Sequence, residues 1–337
     1  MSIRWGILGL GHIAHCFMEG LACVPDAKLV ACASATPGKA EAFAKKYNAA
    51  KWYDSYEELA ADPEIDAVYI ATTNQIHLEC ALLALNHNKP VLCEKPLAPN
   101  EKQARLMIDT ARKNDVFLME AMWSRFFPIM KELKNHLNRI GDIKVITGDF
   151  SYSVPGHLLN STSFRGFDPA CAGGGLIDVG IYVLSFACMV LGKTPVTALG
   201  LATMSPLNID AHSVAVFGFG NGEIVSAYSG VDAPSTSDAT IYGSEGYIRV
   251  ENFWHADTMT ICVNDECEKI HVPYDAPGYQ YEILEVHRCI LQGLRESDTM
   301  PLDETLEIIK VFDNLRAQWG LVYPCDLDDP MHSFLKQ

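Results

Sequence analysis

Two pairs of residues in this chain have the types and spacing to do chemistry together. The first is Glu94-Lys95, followed by Pro96, at the end of a short apolar run. The second is Asp178 and Tyr182, four apart and so expected on one face at the start of an apolar helix spanning Leu176–Leu191. Oxidation of a secondary alcohol needs a group that moves the hydroxyl proton and a nearby cation that stabilises alkoxide character while a cofactor takes hydride. A phenol and an amine meet that need. Pro96 forces an extended conformation on Lys95 and stops the strand, which lets the amine point into a crevice. Gly173-Gly174-Gly175 before the apolar helix is read as allowing backbone to approach a ligand closely. Without Lys95, Asp178 and Tyr182 would read as a helix cap and a core aromatic.

Such residues need a cofactor, and the N-terminus offers a place for one. Ile3-Arg4-Trp5-Gly6-Ile7-Leu8 reads as a strand that breaks into Gly9-Leu10-Gly11-His12-Ile13-Ala14, with helix-forming residues up to Leu21. A G-x-G-x-x-A turn between strand and helix cradles a pyrophosphate on backbone N–H groups, so Gly9, Leu10, Gly11, His12 and Ile13 are expected to hold a dinucleotide. After the second strand, Ser34, Thr36 and Lys39 offer hydroxyls and a positive charge, and no acid is present to bind a ribose 2′-OH. That composition favours NADP(H), with NAD(H) as the alternative.

The elements that must position these residues follow from periodicity. Up to about Met122, short β-branched runs at Arg4–Leu8, Lys28–Ala33, Ala67–Ile70, Pro90–Cys93 and Val116–Met119 alternate with amphipathic helical stretches. Five strands with crossover helices predict an α/β Rossmann domain over residues 1–122, with the motifs at the carboxyl ends of the strands. From 123 to 337 the pattern changes to extended runs, with Gly220-Asn221-Gly222 as a hairpin turn. This predicts an α+β substrate-binding and oligomerisation domain with a large, mostly antiparallel open sheet. Helices Leu176–Leu191, Tyr281–Glu296 and Leu302–Trp319 are expected on one face, leaving the other open for a homodimer.

Composition narrows the classes. The net charge of −16 from 26 Lys+Arg and 42 Asp+Glu over 337 residues argues against nucleic acid or anionic membranes as partners, and for a small-molecule substrate. Eleven cysteines without C-x-x-C pairs imply neither a disulfide framework nor a zinc site. Cys262 and Cys267 are expected as free thiols in a reducing cytoplasm. No signal peptide is read at the N-terminus. No metal motif is present among the histidines.

In combination, Gly9-x-Gly11-x-x-Ala14, Asn74-x-x-His77, Glu94-Lys95-Pro96, Asp178-x-Gly180-x-Tyr182 and Gly243-Ser244-Glu245-Gly246 resemble the glucose-fructose oxidoreductase, inositol dehydrogenase and MocA (Gfo/Idh/MocA) family over nearly the whole chain. The segments Glu120–Pro128 and Phe167-Asp168-Pro169 look most like its dihydrodiol dehydrogenase and NADP-dependent sugar dehydrogenase branches. The resemblance implies hydride transfer between a nicotinamide and a secondary hydroxyl or carbonyl of a sugar, polyol or cyclic trans-diol. It implies Tyr182 as proton donor and acceptor, Lys95 lowering the phenol's pKa from about 10, and Asp178 orienting Lys95 or a substrate hydroxyl. Thr72, Asn74, His77, Glu94, Lys95, Trp123 and Arg125 are implied along the cofactor; His77, Trp123 and Trp254 join Asp178 and Tyr182 at the substrate. The sequence departs from those branches at Ala35, where an arginine would hold a 2′-phosphate. A nucleotide-binding sensor that has lost catalysis is the alternative, and the retained Lys95, Asp178 and Tyr182 weigh against it.

Overall fold

The computed structural model describes residues 2–274 and 277–327. The chain alternates β1 (Ile3–Leu8), α1 (His12–Leu21), β2 (Ala27–Ala33), α2 (Lys39–Tyr47), β3 (Lys51–Tyr53), α3 (Tyr56–Ala61), β4 (Ala67–Ile70), α4 (His77–Asn86), β5 (Val91–Glu94), α5 (Glu101–Asn114) and β6 (Leu118–Ala121). These strands form one parallel sheet in the order β3-β2-β1-β4-β5-β6. The expected Rossmann domain therefore forms, with a sixth strand that periodicity did not reveal: β3 is three residues long, lies at the sheet edge and is nowhere fully buried. Helix starts follow local chemistry, as where Asn100 accepts the Gln103 N–H at 2.9 Å and caps α5. The inner strands are buried on both faces. At their centre Trp5 stands edge-on to Phe17, which stacks on Tyr69 at 3.8 Å.

The second sheet and its helices begin with α6 (Pro128–His136), β7 (Ile143–Ser151) and a π-helical turn at Leu176–Gly180 leading into α7 (Ile181–Leu191). Seven strands then run in succession: β8 (Thr197–Met204), β9 (Asp210–Gly218), β10 (Ile224–Gly230), β11 (Ala239–Gly243), β12 (Gly246–Val250), β13 (Thr258–Val263) and β14 (Glu266–His271). The sheet order is β14-β13-β12-β11-β7-β10-β9-β8. All pairings are antiparallel except one: β10 runs parallel to β7. This fits the mostly antiparallel sheet expected; the one parallel pair arises because the connection between these neighbours carries α7 and a further hairpin rather than a tight turn. The β9–β10 hairpin closes at the expected Gly-Asn-Gly turn. The apolar stretch Pro169–Leu191 is long and apolar enough to span a bilayer but is buried within this unit.

Two further expectations are corrected. The chain forms two units, residues 2–123 with 277–306 and residues 124–274 with 307–327. Helix α8 (Tyr279–Leu291), expected on the second sheet, falls in the first unit and packs on α1, with Gly20 pressed against Tyr279 and Gln280. Trp5 Nε1 reaches His287 Nε2 at 3.1 Å in the same unit. The later helices, α9 (Leu302–Trp319) and the short α10 (Pro324–Leu327), end the described residues, and Trp319 donates to the Gly200 carbonyl of β8 at 2.9 Å. Secondly, Cys262 and Cys267 are disulfide-bonded. Asn264 and Asp265, both at positive φ, make a two-residue hairpin that sets the two cysteines directly opposite across β13 and β14.

Candidate active site

In the first unit the sheet order brings the ends of β2, β1, β4 and β5 side by side, one strand spacing apart. Gly9 follows β1 at φ +84°, wedged so closely against Ala71 and Thr72 after β4 that a Cβ would meet the Thr72 nitrogen at 2.8 Å. Gly11 is the N-cap of α1 in extended conformation, with no side-chain cap and no acid in the first turn. The N–H groups and positive end of that helix are thus left for an anion, so the residues present fit a dinucleotide pyrophosphate. Leu10 is buried beneath the turn, His12 is exposed and Ile13 half-buried. After β2, Ser34 is buried and accepts the Thr36 N–H at 3.2 Å, leaving its own hydroxyl hydrogen to donate. Lys39 opens α2. Burial lowers the pKa of His15, Lys46, His12 and Lys39 lower it further, and Glu19 opposes them.

The Glu94-Lys95-Pro96 turn at the end of β5 is pinned on several sides. Tyr69 donates to Glu94 Oε1 at 2.5 Å, and the Lys95 backbone N–H approaches Glu94 Oε2 at 3.3 Å. Burial, then the adjacent Glu94, push the Tyr69 phenol well above its ordinary range, which keeps it a donor. The Lys95–Pro96 bond is cis. His77, fully buried at the start of α4, has Nδ1 3.0 Å from the Pro96 carbonyl and Nε2 3.3 Å from the Thr72 carbonyl. The Leu97 N–H donates to Glu120 Oε1 at 2.9 Å, whose Oε2 accepts from Thr305 at 3.0 Å. Lys95 is half-buried between these fixed points. Asn74 lies buried in a short 3-10 turn after β4, and Trp123, also buried, stacks on Tyr279 at 4.5 Å with planes 3° apart.

In the second unit Asp178 falls in the π-turn and Tyr182 in the first turn of α7, both buried. Tyr152, just beyond β7, donates to Asp178 Oδ2 at 2.6 Å, and Arg165 pairs with Oδ1 at 3.1 Å. Burial, and then the Asp178 charge, raise the Tyr152 phenol far above its ordinary range. Phe150 of β7 stands edge-on to Tyr182 at 5.2 Å and stacks on Trp254 at 4.9 Å, 16° from parallel. Arg125, buried, holds α7 about one turn beyond Tyr182 through Ser185, to Oγ at 2.7 Å and to the carbonyl at 2.6 Å. The structure therefore joins Asp178, Tyr182 and Trp254 through Phe150 and Tyr152, two residues the motif reading passed over. Their signal was the period-two alternation along the strand, which sends Phe150 and Tyr152 to one face. The three glycines before the π-turn do not open the backbone to a ligand, as the sequence suggested. Each is pressed against protein: Gly173 on the Arg165 and Gly166 carbonyls, Gly174 on Asp210 and Gly175 on Gly230.

Taken separately, the first unit holds an amine at a strand end near a turn that fits an anion, and the second holds a phenol in a buried aromatic setting. An oxidoreductase family with an NAD-binding Rossmann fold matches residues 3–122, and the GFO/IDH/MocA C-terminal domain matches residues 131–249. The chain is 36% identical to trans-1,2-dihydrobenzene-1,2-diol dehydrogenase of Danio rerio over 97% of its length and 99% of the relative's. It is 35% identical to the scyllo-inositol 2-dehydrogenase (NADP(+)) IolU of Bacillus subtilis, over 96% and 99%. Among solved structures, a levoglucosan dehydrogenase in complex with NADH and levoglucosan superposes with a TM-score of 0.85 at 19% identity, covering 95% of this chain and 98% of that one. The 3-ketoreductase KijD10 of Actinomadura kijaniata superposes with 0.84 at 21% identity, covering 94% and 98%. With both domains matched and relatives of this identity aligned end to end, the chain belongs to the Gfo/Idh/MocA family of NAD(P)-dependent oxidoreductases.

Proposed function

We propose that this enzyme interconverts a secondary hydroxyl and a carbonyl on a ring-shaped polyol, sugar or cyclic trans-diol, with NADP(H) preferred over NAD(H). Bound nicotinamide supplies the acceptor or donor of hydride. Tyr182 transfers the hydroxyl proton, and the Lys95 ammonium stabilises negative charge on the substrate oxygen. His77 acts through the Lys95-Pro96 turn, since its ring nitrogens lie against backbone carbonyls. Asp178, with Tyr152 and Arg165 on its two oxygens, orients the start of the Tyr182 helix and a substrate hydroxyl. The observation that carries the reading is the Trp254–Phe150–Tyr182 aromatic run, which sets the phenol against an apolar wall suited to one face of a ring. The names of the two relatives, a cyclic trans-diol and an inositol dehydrogenase, point to the same chemistry.

The NADP preference rests on Ser34, Thr36 and Lys39 after β2 and on the absence of an acid there. A cytoplasmic location fits the nine cysteines that stay as thiols, with the Cys262–Cys267 pair the exception. We also propose a homodimer through the open face of the second sheet. Leu199 and Leu201 on β8, Val214 and Val216 opposite them on β9, and the Tyr242–Tyr247 pair on β11 and β12 are all exposed there. The test is turnover of a panel of aldoses, inositols, acyclic polyols and cyclic trans-diols with each cofactor, at low and high salt. The expected result is the highest kcat/KM on a ring-borne hydroxyl with NADP, its advantage over NAD shrinking as salt screens the 2′-phosphate. Preference for acyclic substrates would overturn the substrate class, and a preference for NAD at low salt the cofactor.

A further inference from the structure

Asp210, the first residue of β9, lies fully buried beneath the start of the segment that carries Asp178 and Tyr182. Its Oδ2 accepts the Leu176 N–H at 2.6 Å, one of the helix-start donors that has no acceptor within the helix. Its Oδ1 has no hydrogen-bond partner. That oxygen fills the space beside Gly174, where a Cβ would overlap it; Gly174 itself stands at φ +132°, a conformation side-chain-bearing residues avoid. Neighbouring segments close on the same point. Tyr323, fully buried, donates to the Gly173 carbonyl at 2.7 Å, and the Arg316 guanidinium lies 4.6 Å over its ring. Arg316 pairs in turn with Asp313 and Asp326, each at 2.6 Å. The backbone from Gly173 to Leu176 is thus gripped two residues before Asp178.

We infer that Asp210 is the positioning residue of the acid/base helix: it anchors the Leu176 end of the π-turn, and its charge there sets how Asp178 and Tyr182 are held. The inference rests on the assignment of Tyr182 as the proton-transfer group. A neutral acceptor would satisfy the Leu176 N–H as well, and an unpaired buried carboxylate oxygen is costly, so a carboxyl at this place is a feature to be explained rather than generic packing. A negative charge at a helix N-terminus strengthens its interaction with the helix dipole and the first N–H groups. The charge varies in the working range. Burial raises the Asp210 carboxyl to about 7, against the opposing pull of the Leu176 N–H and Arg316, with Asp178 adding repulsion. The other groups at this point are Tyr323, which burial and then Asp210 push well above the phenol range, and the Asp178 partners Tyr152 and Arg165. On Asp210's own strand, His212 is paired with Asp232 at 3.0 Å.

The test compares wild type with Asp210→Asn, which keeps an oxygen for the Leu176 N–H but no charge, and Asp210→Leu, which keeps neither. Steady-state kcat and KM and thermal midpoints are measured from about pH 5.5 to 8.5, a range spanning the raised carboxyl and set by ordinary titration width. Wild-type kcat is expected to show an inflection near 7 that Asp210→Asn lacks, while the KM for cofactor stays within about threefold; Asp210→Leu is expected to lose at least about tenfold in kcat. Stability provides an independent readout. A carboxyl raised in the fold binds its proton in the native state but not in the unfolded state between the two pKa values, so its contribution is lost as pH rises toward 7. The thermal midpoint of wild type is therefore expected to fall relative to Asp210→Asn over that interval. If the kcat profile of Asp210→Asn superimposes on that of wild type, Asp210 does not position the helix and the inference is overturned; should Asp210→Leu not fold, the Asn variant decides alone. Tyr182→Phe, assayed alongside, separates the two failures. If it is inactive while Asp210→Asn matches wild type, this inference falls alone; if it is active, the assignment of Tyr182 falls and takes the inference with it.

Discussion

Lys95 gains its precision from its neighbours. Tyr69 fixes Glu94 before it, His77 the proline after it, and Glu120 the next peptide. For the role proposed for Lys95 such pinning matters, because a group that stabilises charge only as it develops must already stand in place, since reorganisation during the reaction would consume the gain. Lys95→Ala should therefore leave cofactor binding within about tenfold of wild type while cutting turnover by at least roughly a hundredfold, because the loss falls on the transition state. Cofactor titration and steady-state kinetics on the one variant separate these effects. Turnover within a few-fold of wild type would remove the amine from the mechanism.

At the scale of elements, much of the arrangement was legible in the sequence and the remainder was not, for identifiable reasons. The parallel sheet was readable because its buried strands are β-branched runs bounded by helices, and the Gly-x-Gly and Glu-Lys-Pro motifs sit at their carboxyl ends. β3 was hidden because three half-exposed residues, Lys51-Trp52-Tyr53, carry no period. The parallel β7–β10 pair and the return of α8 to α1 were hidden because pairing partners far apart in sequence leave no local mark. In the site, Asp178 and Tyr182 were marked by their spacing. Arg165, Asp210 and Glu120 were not, since each reaches its partner only through the fold. The open sheet face yields a prediction of its own. Leu201, 83% exposed at the middle of β8, should lie in the contact if two copies meet there. Leu201→Glu should weaken the dimer by about a hundredfold or more, because a two-fold contact would bury the new carboxylate twice. Analytical ultracentrifugation reads this directly; a wild-type monomer, or a variant dimer of unchanged strength, would contradict it.

Taken as a whole, the molecule is acidic, yet two cations, Lys39 and Lys46, gather at the corner around His15. An overall charge of −16 disfavours anionic partners at long range, so a phosphate-bearing cofactor must be recovered by short-range groups: the open α1 terminus and this corner. The first unit carries Lys95 and the turn that fits an anion, and the second carries Tyr182, whose phenol is the proton-transfer group proposed above. The account depends most on that phenol. Tyr182→Phe removes one hydroxyl and keeps the ring edge-on to Phe150, so folding stability should change by no more than about 1–2 kcal/mol. Turnover is the measurement to make, on the best substrate of the panel and beside a thermal melt: the account predicts a loss of at least about a hundredfold in kcat with the fold intact. A folded Tyr182→Phe enzyme turning over within a few-fold of wild type would contradict it and place the proton transfer on another residue.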